Sequence, residues 1–225
     1  MHLGLIGGIG PAATEFYYRH LVRAHAAAGR SLELTIVQAE VSDLVQSMAD
    51  GAPDRQARIF LRLVERLRAA GAEAAAVTSI SGHFCIRELQ ALSPLPLISV
   101  IPALEAELVR RGLRRVGLLG TRVVMSSRIY GGLTAVETVV PPGAAFDTTH
   151  NDYIAMATAA EADDGQRERL FAIGRDLCRT QGAEAVVLAG TDLFLAFEGR
   201  DCGFPAIDSA RVHVDALARA SMGDA

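Results

Sequence analysis

Two stretches of this chain are nearly identical: GAEAAAVTS at residues 71–79 and GAEAVVLAG at residues 182–190, 111 positions later. Two further pairs of segments follow the same order, at offsets of 113 and 109 positions. They are LGLIG at 3–7 with VGLLG at 116–120, and PLIS at 96–99 with PAID at 205–208. Three matched pairs in one order indicate an internal duplication.

Short apolar runs bounded by glycine or proline alternate with longer amphipathic runs, which is typical of parallel strands joined by crossover helices. The predicted strands are 2–7, 33–39, 74–78, 96–100, 115–119, 136–140, 185–189 and 205–207. The predicted helices are 11–28, 53–70, 84–91, 102–111, 126–134, 150–160, 164–181 and 209–221. We therefore predict an α/β fold of two pseudosymmetric Rossmann-like halves, each a small parallel sheet flanked by helices, with a cleft between them.

The duplication also predicts the domain limits and the place of the site. The first half is expected to take residues 1–99 and 210–225, and the second residues 100–209. Ligands of open parallel sheets bind beyond the carboxyl ends of the strands. Ser79 and Gly190 end the two repeats, so we expect them at equivalent positions, facing each other across the cleft.

The composition narrows the class of protein. The chain has 225 residues, 50% of them hydrophobic, and a formal charge of -4 without a basic stripe, so nucleic acid is not an expected partner. No run reaches the roughly 18 apolar residues of a membrane span, and the chain opens on a strand-like segment without a signal peptide. We expect a cytoplasmic protein. Three cysteines without CxxC spacing predict neither a disulfide framework nor a metal site.

A glycine-rich turn joins the first predicted strand to the first helix. The pattern Gly8-x-Gly10-x-x-Ala13 is a form of the dinucleotide fingerprint, with Glu40 where a ribose-binding acid would stand. However, Pro11 removes a helix N–H that would meet a phosphate, and a twofold repeat is not the usual plan of a nicotinamide domain. We favour a tight turn whose backbone approaches a small carboxylate, and keep dinucleotide binding as the alternative.

Polar residues follow the strand at the end of each repeat. TSISGHF at 78–84 and AGTDLF at 189–194 both stand between a strand and a helix. Hydroxyl and carboxylate side chains at such turns act as helix caps or as site residues. Both interpretations stay open from the sequence.

Together these segments resemble the aspartate/glutamate racemase superfamily across essentially the full length of the chain. The matching segments are GLIGGIGPAAT at 4–14, YYRHL at 17–21, GAEAAAVTSISGH at 71–83, VGLLGTRVVM at 116–125, GAEAVVLAGTDL at 182–193 and PAIDSARVHVDA at 205–216. LLGTRVVM, with VSDL at 41–44, is more similar to the amino-acid racemase branch. The resemblance implies an isomerase without pyridoxal phosphate or any other cofactor, acting on a small carboxylate or amino acid. It also implies a homodimer, and one acid/base group from each of two α/β domains.

The chain departs from this family at both catalytic positions. The family's first motif usually reads Cys-Asn-Thr-x-His and its second Gly-Cys-Thr-Glu, with the cysteines on opposite faces of the substrate α-carbon. Here Ser79 takes the first cysteine position, with His83 completing the motif, and Gly190 takes the second. Moving a proton from one face to the other needs two groups of usable pKa, and a serine hydroxyl needs activation.

The residues predicted to carry catalysis are Ser79, activated by His83, and Asp192 as the second acid/base group. Cys202 and His213 are alternatives for that second group, and Cys85 for the first. The residues predicted to bind substrate, by resemblance and position, are Gly8, Ile9, Gly10, Ser81, Gly190, Thr191 and His213.

Three functions remain open from the sequence. The first is an atypical isomerase acting at the α-carbon of a small carboxylate or acidic amino acid. The second is chemistry on one face only, such as decarboxylation or elimination, because loss of one base still allows a single protonation. The third is a non-catalytic carboxylate-binding paralogue.

Overall fold

The computed structural model describes residues 1–8 and 10–223, so Ile9, predicted to bind substrate, lies outside the described residues. The chain divides into two compact units, one formed by Met1–Ser99 with His213–Ala225 and the other by Val100–Val212. The strands are β1 (Leu3–Gly7), β2 (Leu34–Gln38), β3 (Ala74–Val77), β4 (Arg115–Gly120), β5 (Glu137–Val139), β6 (Ala185–Ala189) and β7 (Ala206–Asp208).

The helices lie between and after these strands. They are α1 (Pro11–Ala27), α2 (Val41–Ala49), α3 (Pro53–Ala69), the 3₁₀ helix Ser81–Cys85, α4 (Ile86–Leu92), α5 (Val100–Arg110), α6 (Arg122–Ser126), α7 (Ala144–Ala159), α8 (Asp164–Gln181), α9 (Phe194–Phe197) and α10 (Ser209–Met222). In the described part of the chain, none of these helices is long and apolar enough to cross a membrane.

Each unit contains a parallel sheet of the same topology. The first unit has the strand order β2-β1-β3 and the second β5-β4-β6-β7, and every pairing is parallel. In both units the first strand lies between the second and the third. The predicted α/β class with two small parallel sheets flanked by helices is confirmed.

The fourth strand of the first sheet is reduced to a single bridge. Leu97 pairs with Ala75 as an isolated parallel bridge, where Ala206 of β7 pairs with Val186 of β6 in the other unit. The Pro96 carbonyl accepts from the Ala75 N–H at 2.9 Å, as the Pro205 carbonyl does from the Val186 N–H at 2.8 Å in the other unit, but here the pairing ends at Leu97 and α5 begins at Val100. The prediction of a strand over 96–100 is therefore wrong.

The repeated GAE sequence forms the joint between a helix and a strand in both units. Gly71 and Gly182 follow α3 and α8 with positive φ angles of 92° and 68°, which glycine adopts without strain. The carboxylates of Glu73 and Glu184 each accept the backbone N–H of the residue before the central strand, both at 2.6 Å. This shared joint explains why the chain contains nearly the same nine residues twice.

The helix predicted at 126–134 is wrong in position, the helix predicted at 150–160 begins six residues earlier, at Ala144, and α2 and α9 were not predicted. The helix expected at 126–134 is instead α6, which starts at Arg122 because the Thr121 hydroxyl accepts the Val124 N–H. Arg128, Ile129 and Tyr130 have φ angles between 52° and 58°, in the left-handed region that ends a right-handed helix.

Glycines in the central strands let the helices approach closely. A Cβ on Gly4 would lie 2.8 Å from Leu67 of α3, and a Cβ on Gly117 would lie 2.9 Å from Leu177 of α8. Both leucines are fully buried. Each unit thus has its own core, formed where one long helix packs against the central strand.

Candidate functional site

In the first unit, the loops after β1 and β3 meet at the carboxyl end of the sheet. A Cβ on Gly8 would lie 4.0 Å from the Ser79 Cβ, so the glycine turn runs beside Ser79. Gly10 is the N-cap of α1, with an extended backbone and no side-chain cap. Gly8 and Ser79 therefore lie side by side in the first unit.

Ser79 is buried and acts as a cap for the turn that follows. Its Oγ accepts the Gly82 N–H at 3.3 Å, and its carbonyl accepts from the His83 Nδ1 at 2.7 Å. This hydrogen bond does not involve the Ser79 hydroxyl, and the expected activation of that hydroxyl by His83 stays a prediction. The one-turn 3₁₀ helix directs the histidine to the backbone oxygen of Ser79 instead of its side chain.

His83 has a free lone pair inside the protein. Because a carbonyl only accepts hydrogen bonds, Nδ1 must carry the proton, which leaves Nε2 as an acceptor. Nε2 is buried, and no partner for it exists among residues 1–8 and 10–223. Burial lowers the pKa of His83 to about 4, although its bond to Ser79 acts in the opposite direction. His83 is thus a neutral base with an unused acceptor.

His213 uses both ring nitrogens within the first unit. Its Nε2 donates to the Ile98 carbonyl at 2.9 Å, and its Nδ1 accepts from the Tyr17 hydroxyl at 2.9 Å. Its ring centre lies 6.3 Å from that of His83. Burial, and then the neighbouring His83, lower its pKa to about 3. These contacts favour a positioning role for His213 over direct substrate binding.

Gln56 of α3 is another buried polar group without a partner. Along this helix Leu67 packs against Gly4 in β1, and Phe60 lies 3.5 Å from where a Gly82 Cβ would stand, beyond the end of β3. Gln56 precedes Phe60 by one turn, which places it at the carboxyl end of the sheet. Its side chain is fully buried, and neither Nε2 nor Oε1 has a partner within the described chain.

We expect Gln56→Met to raise the free energy of unfolding by about 1–2 kcal/mol, because the substitution keeps the volume and removes two unsatisfied polar atoms. Urea unfolding measures this, with Gln90→Met on the exposed surface of α4 as the matched control, expected to change little. Destabilisation by Gln56→Met would contradict the assignment, because it would mean that a bound water or ligand satisfies the amide.

In the second unit, the ring of Tyr153 occupies the space beside Gly190. A Cβ on Gly190 would overlap the Tyr153 ring, with Cε2 the closest atom, Cδ2 at 2.9 Å and Cζ at 3.0 Å. No side chain fits at residue 190 while the ring is in place. The sequence did not predict Tyr153, which comes from α7 and carries no motif that links it to Gly190.

Asp192 binds this tyrosine. The Tyr153 hydroxyl donates to the Asp192 Oδ2 at 2.9 Å, and both residues are buried, as is Thr191. Burial, and then the adjacent Asp192 carboxylate, raise the pKa of Tyr153 well above its usual range. The second unit therefore holds a buried phenol paired with a carboxylate beside Gly190.

The cysteines are poor candidates for the acid/base groups. Cys85 is buried, its Sγ donates to the Gly82 carbonyl at 3.5 Å, and burial raises its pKa to about 12. Cys202 is buried too, with its Sγ directed to the Phe204 carbonyl at 3.3 Å. Among residues 1–8 and 10–223, no group of three or more His, Cys, Asp or Glu side chains is arranged to hold a metal ion.

Glu40, the acid considered for ribose binding, caps a helix. Its carboxylate accepts the Ser42 N–H at 3.3 Å and the Ser42 hydroxyl at 3.1 Å at the start of α2. This contact is an ordinary N-cap and explains why an acid stands at the end of β2.

Solved structures with a similar fold include two racemase-related proteins and a decarboxylase. A candidate Asp/Glu racemase from Yersinia pestis aligns with a TM-score of 0.86 and 24% identity, covering 99% of this chain and 100% of that one. An aspartate racemase homologue from Pyrococcus horikoshii aligns with a TM-score of 0.83 and 24% identity, covering 98% and 99%. An arylmalonate decarboxylase aligns with a TM-score of 0.55 and 16% identity, covering 96% and 91%.

The family itself is shown by the sequence model of the Asp/Glu/Hydantoin racemases, which matches residues 6–217. This match includes both repeats and the residues described above at the ends of β1, β3 and β6. The chain therefore belongs to the Asp/Glu/Hydantoin racemase family.

Proposed function

We propose that this protein is a cofactor-independent isomerase acting at the α-carbon of a small carboxylate or acidic amino acid, without a thiol base. The observation that carries the proposal is the free, buried Nε2 of His83, a neutral acceptor in the motif where the family has its first acid/base group. Asp192 supplies a carboxylate in the second motif. Each unit thus contributes one group able to exchange a proton, and family membership supports the reaction type.

The binding roles follow the same division. We propose that the backbone of the turn at residues 8–10 and the side chains of Ser81 and Thr191 bind the carboxylate of the substrate. Gly190 contributes only backbone. The Ser79 Oγ accepts the Gly82 N–H, and its hydroxyl donates a hydrogen bond to the substrate. His83 removes the α-proton of the substrate.

Proton exchange in heavy water tests this function. We would incubate the protein with L-aspartate and with L-glutamate in D₂O and follow the α-proton by NMR and the optical rotation of the solution. The proposal expects loss of the α-proton signal together with loss of optical activity. Absence of both, for both amino acids and their D-enantiomers, would contradict it.

A second candidate function is chemistry on one face of the substrate. It is favoured by Ser79, whose Oγ accepts from the backbone N–H of Gly82, while the His83 Nδ1 bonds to the Ser79 carbonyl. The likeness to an arylmalonate decarboxylase is compatible with it. In this case a malonate-type substrate would lose CO₂ and give one enantiomer, while amino acids would keep their optical activity. Binding of either compound without reaction would instead indicate a non-catalytic paralogue.

The homodimer and the cytoplasmic location expected from the resemblance remain predictions. Sedimentation equilibrium of the purified protein tests the first of these, with a mass of twice the 23.8 kDa of the chain as the expected result. A monomer at micromolar concentration would contradict it.

A further inference from the structure

Tyr153 stands where the family resemblance places the second thiol. The atoms nearest to a Cβ built on Gly190 all belong to the Tyr153 ring, and Cζ, which carries the hydroxyl, lies 3.0 Å from that Cβ. The phenol thus fills the volume that a cysteine side chain would take. The absent side chain at residue 190 and the large one at residue 153 are therefore complementary in volume.

The hydroxyl of this tyrosine is held in one orientation. It donates to the Asp192 Oδ2 at 2.9 Å, and the exposed fractions of Tyr153 and Asp192 are only 2% and 1%. A buried carboxylate is costly unless a donor satisfies it, so the pair is coupled energetically. A hydroxyl that donates to a carboxylate can accept a proton on its oxygen while passing its own proton on.

We propose that Tyr153 is the catalytic acid/base residue of the second unit and relays a proton between the substrate α-carbon and Asp192. This inference rests on the proposed function and names the group that replaces the second thiol. Asp192 then acts through Tyr153 as the terminal proton acceptor and donor.

The relay balances without an ionised tyrosine. In the forward direction the C–H bond breaks, its proton moves to the Tyr153 Oη, and the hydroxyl's own proton moves to the Asp192 Oδ2. The electron pair stays on the α-carbon and is delocalised into the substrate carboxylate. In the reverse direction Asp192 returns its proton to Tyr153, which forms the C–H bond. Concerted transfer avoids a buried phenolate beside the Asp192 carboxylate, the form that burial and then repulsion by Asp192 disfavour.

Two substitutions test the relay in the D₂O exchange assay with aspartate and glutamate. Tyr153→Phe keeps the ring beside Gly190 and removes the hydroxyl. Asp192→Asn keeps an oxygen that accepts from Tyr153 but does not take up its proton. Each is expected to lower the rate of α-proton exchange by about 100-fold or more, the usual contribution of a general acid or base. Tyr18→Phe, the same change at an exposed tyrosine of α1, is the matched control and should exchange as the wild type.

The outcomes separate the relay from the proposed function and from a structural role. If the wild type exchanges the α-proton and Tyr153→Phe does so at a similar rate, the relay alone is overturned. If the wild type does not exchange it, the relay and the proposed function are both overturned. If Tyr153→Phe does not fold, exchange by Asp192→Asn at the wild-type rate would still overturn the relay, because this variant retains the ring and its hydrogen bond. With α-deuterated substrate the solvent isotope effect on the wild-type racemisation rate is expected to persist undiminished, because the C–H and O–H bonds break in the same step, and a marked decrease would overturn concerted transfer.

Discussion

Gly190→Cys is expected to destabilise the protein by about 3 kcal/mol instead of creating a conventional racemase site. The new Cβ would overlap the ring of Tyr153, which is buried and cannot move without disturbing its bond to Asp192. Urea unfolding measures the loss. Gly165→Cys is the matched control, because a Cβ there meets only the ends of the Arg169 and Asp163 side chains, at 3.2 Å.

Adding Tyr153→Ala to Gly190→Cys tests whether the ring is the obstacle. The two changes are expected to couple by about 2 kcal/mol, with the double variant more stable than the sum of the single ones predicts. Restoring both family thiols with Ser79→Cys therefore also requires Tyr153→Ala. A Gly190→Cys protein as stable as the wild type would contradict the packing described here.

As the pH is lowered from 6 to 4.5, the free energy of unfolding is expected to fall faster for the wild type than for the His83→Asn variant. The difference between the two slopes is about 1.4 kcal/mol per pH unit. Burial lowers the pKa of His83 to about 4 from its ordinary 6.5, so the unfolded chain takes up a proton first as the pH falls. The stability that neutral His83 contributes is complete above pH 6.5 and is lost as the pH falls toward 4. Asparagine retains an N–H for the Ser79 carbonyl but has no proton to bind.

Urea unfolding at several pH values between 7.5 and 4.5 measures this difference. Other titrating groups cancel when the variant is compared with the wild type. His213→Asn should flatten the curve in the same way, because burial also lowers the pKa of His213, to about 3. Parallel curves for the wild type and His83→Asn would show that His83 is not held neutral.

The internal repeat predicted most of the fold correctly. Glycines and apolar runs recur at nearly constant spacing. In both units a glycine, Gly71 or Gly182, ends the long helix, and the glutamate two residues later accepts the backbone N–H that precedes the central strand. The short helices were harder to predict because single caps determine them. The Thr121 hydroxyl starts α6 and the Glu40 carboxylate starts α2, and neither signal spans enough residues to form a periodic pattern.

From the sequence we predicted only those candidate site residues that lie within a motif on one continuous segment. Ser79, His83 and Asp192 follow strands within recognisable motifs. Tyr153 and Gln56 come from helices remote in sequence, and only packing brings them to the ends of the strands. His83 bonds to the Ser79 carbonyl and not to its hydroxyl because of the geometry of one 3₁₀ turn. Residue types alone do not predict this geometry.

The central claim is that this protein exchanges the α-proton without a thiol base. Its most direct test is α-proton exchange by a variant that has no cysteine. We would compare the wild type with the triple variant Cys85→Ala, Cys178→Ala and Cys202→Ala in D₂O with aspartate and glutamate, after confirming by circular dichroism that both are folded. If His83 and the Tyr153–Asp192 pair carry the protons, the triple variant should exchange within about threefold of the wild type, well short of the 100-fold cost of losing an acid or base. Loss of exchange in the folded triple variant would contradict the account.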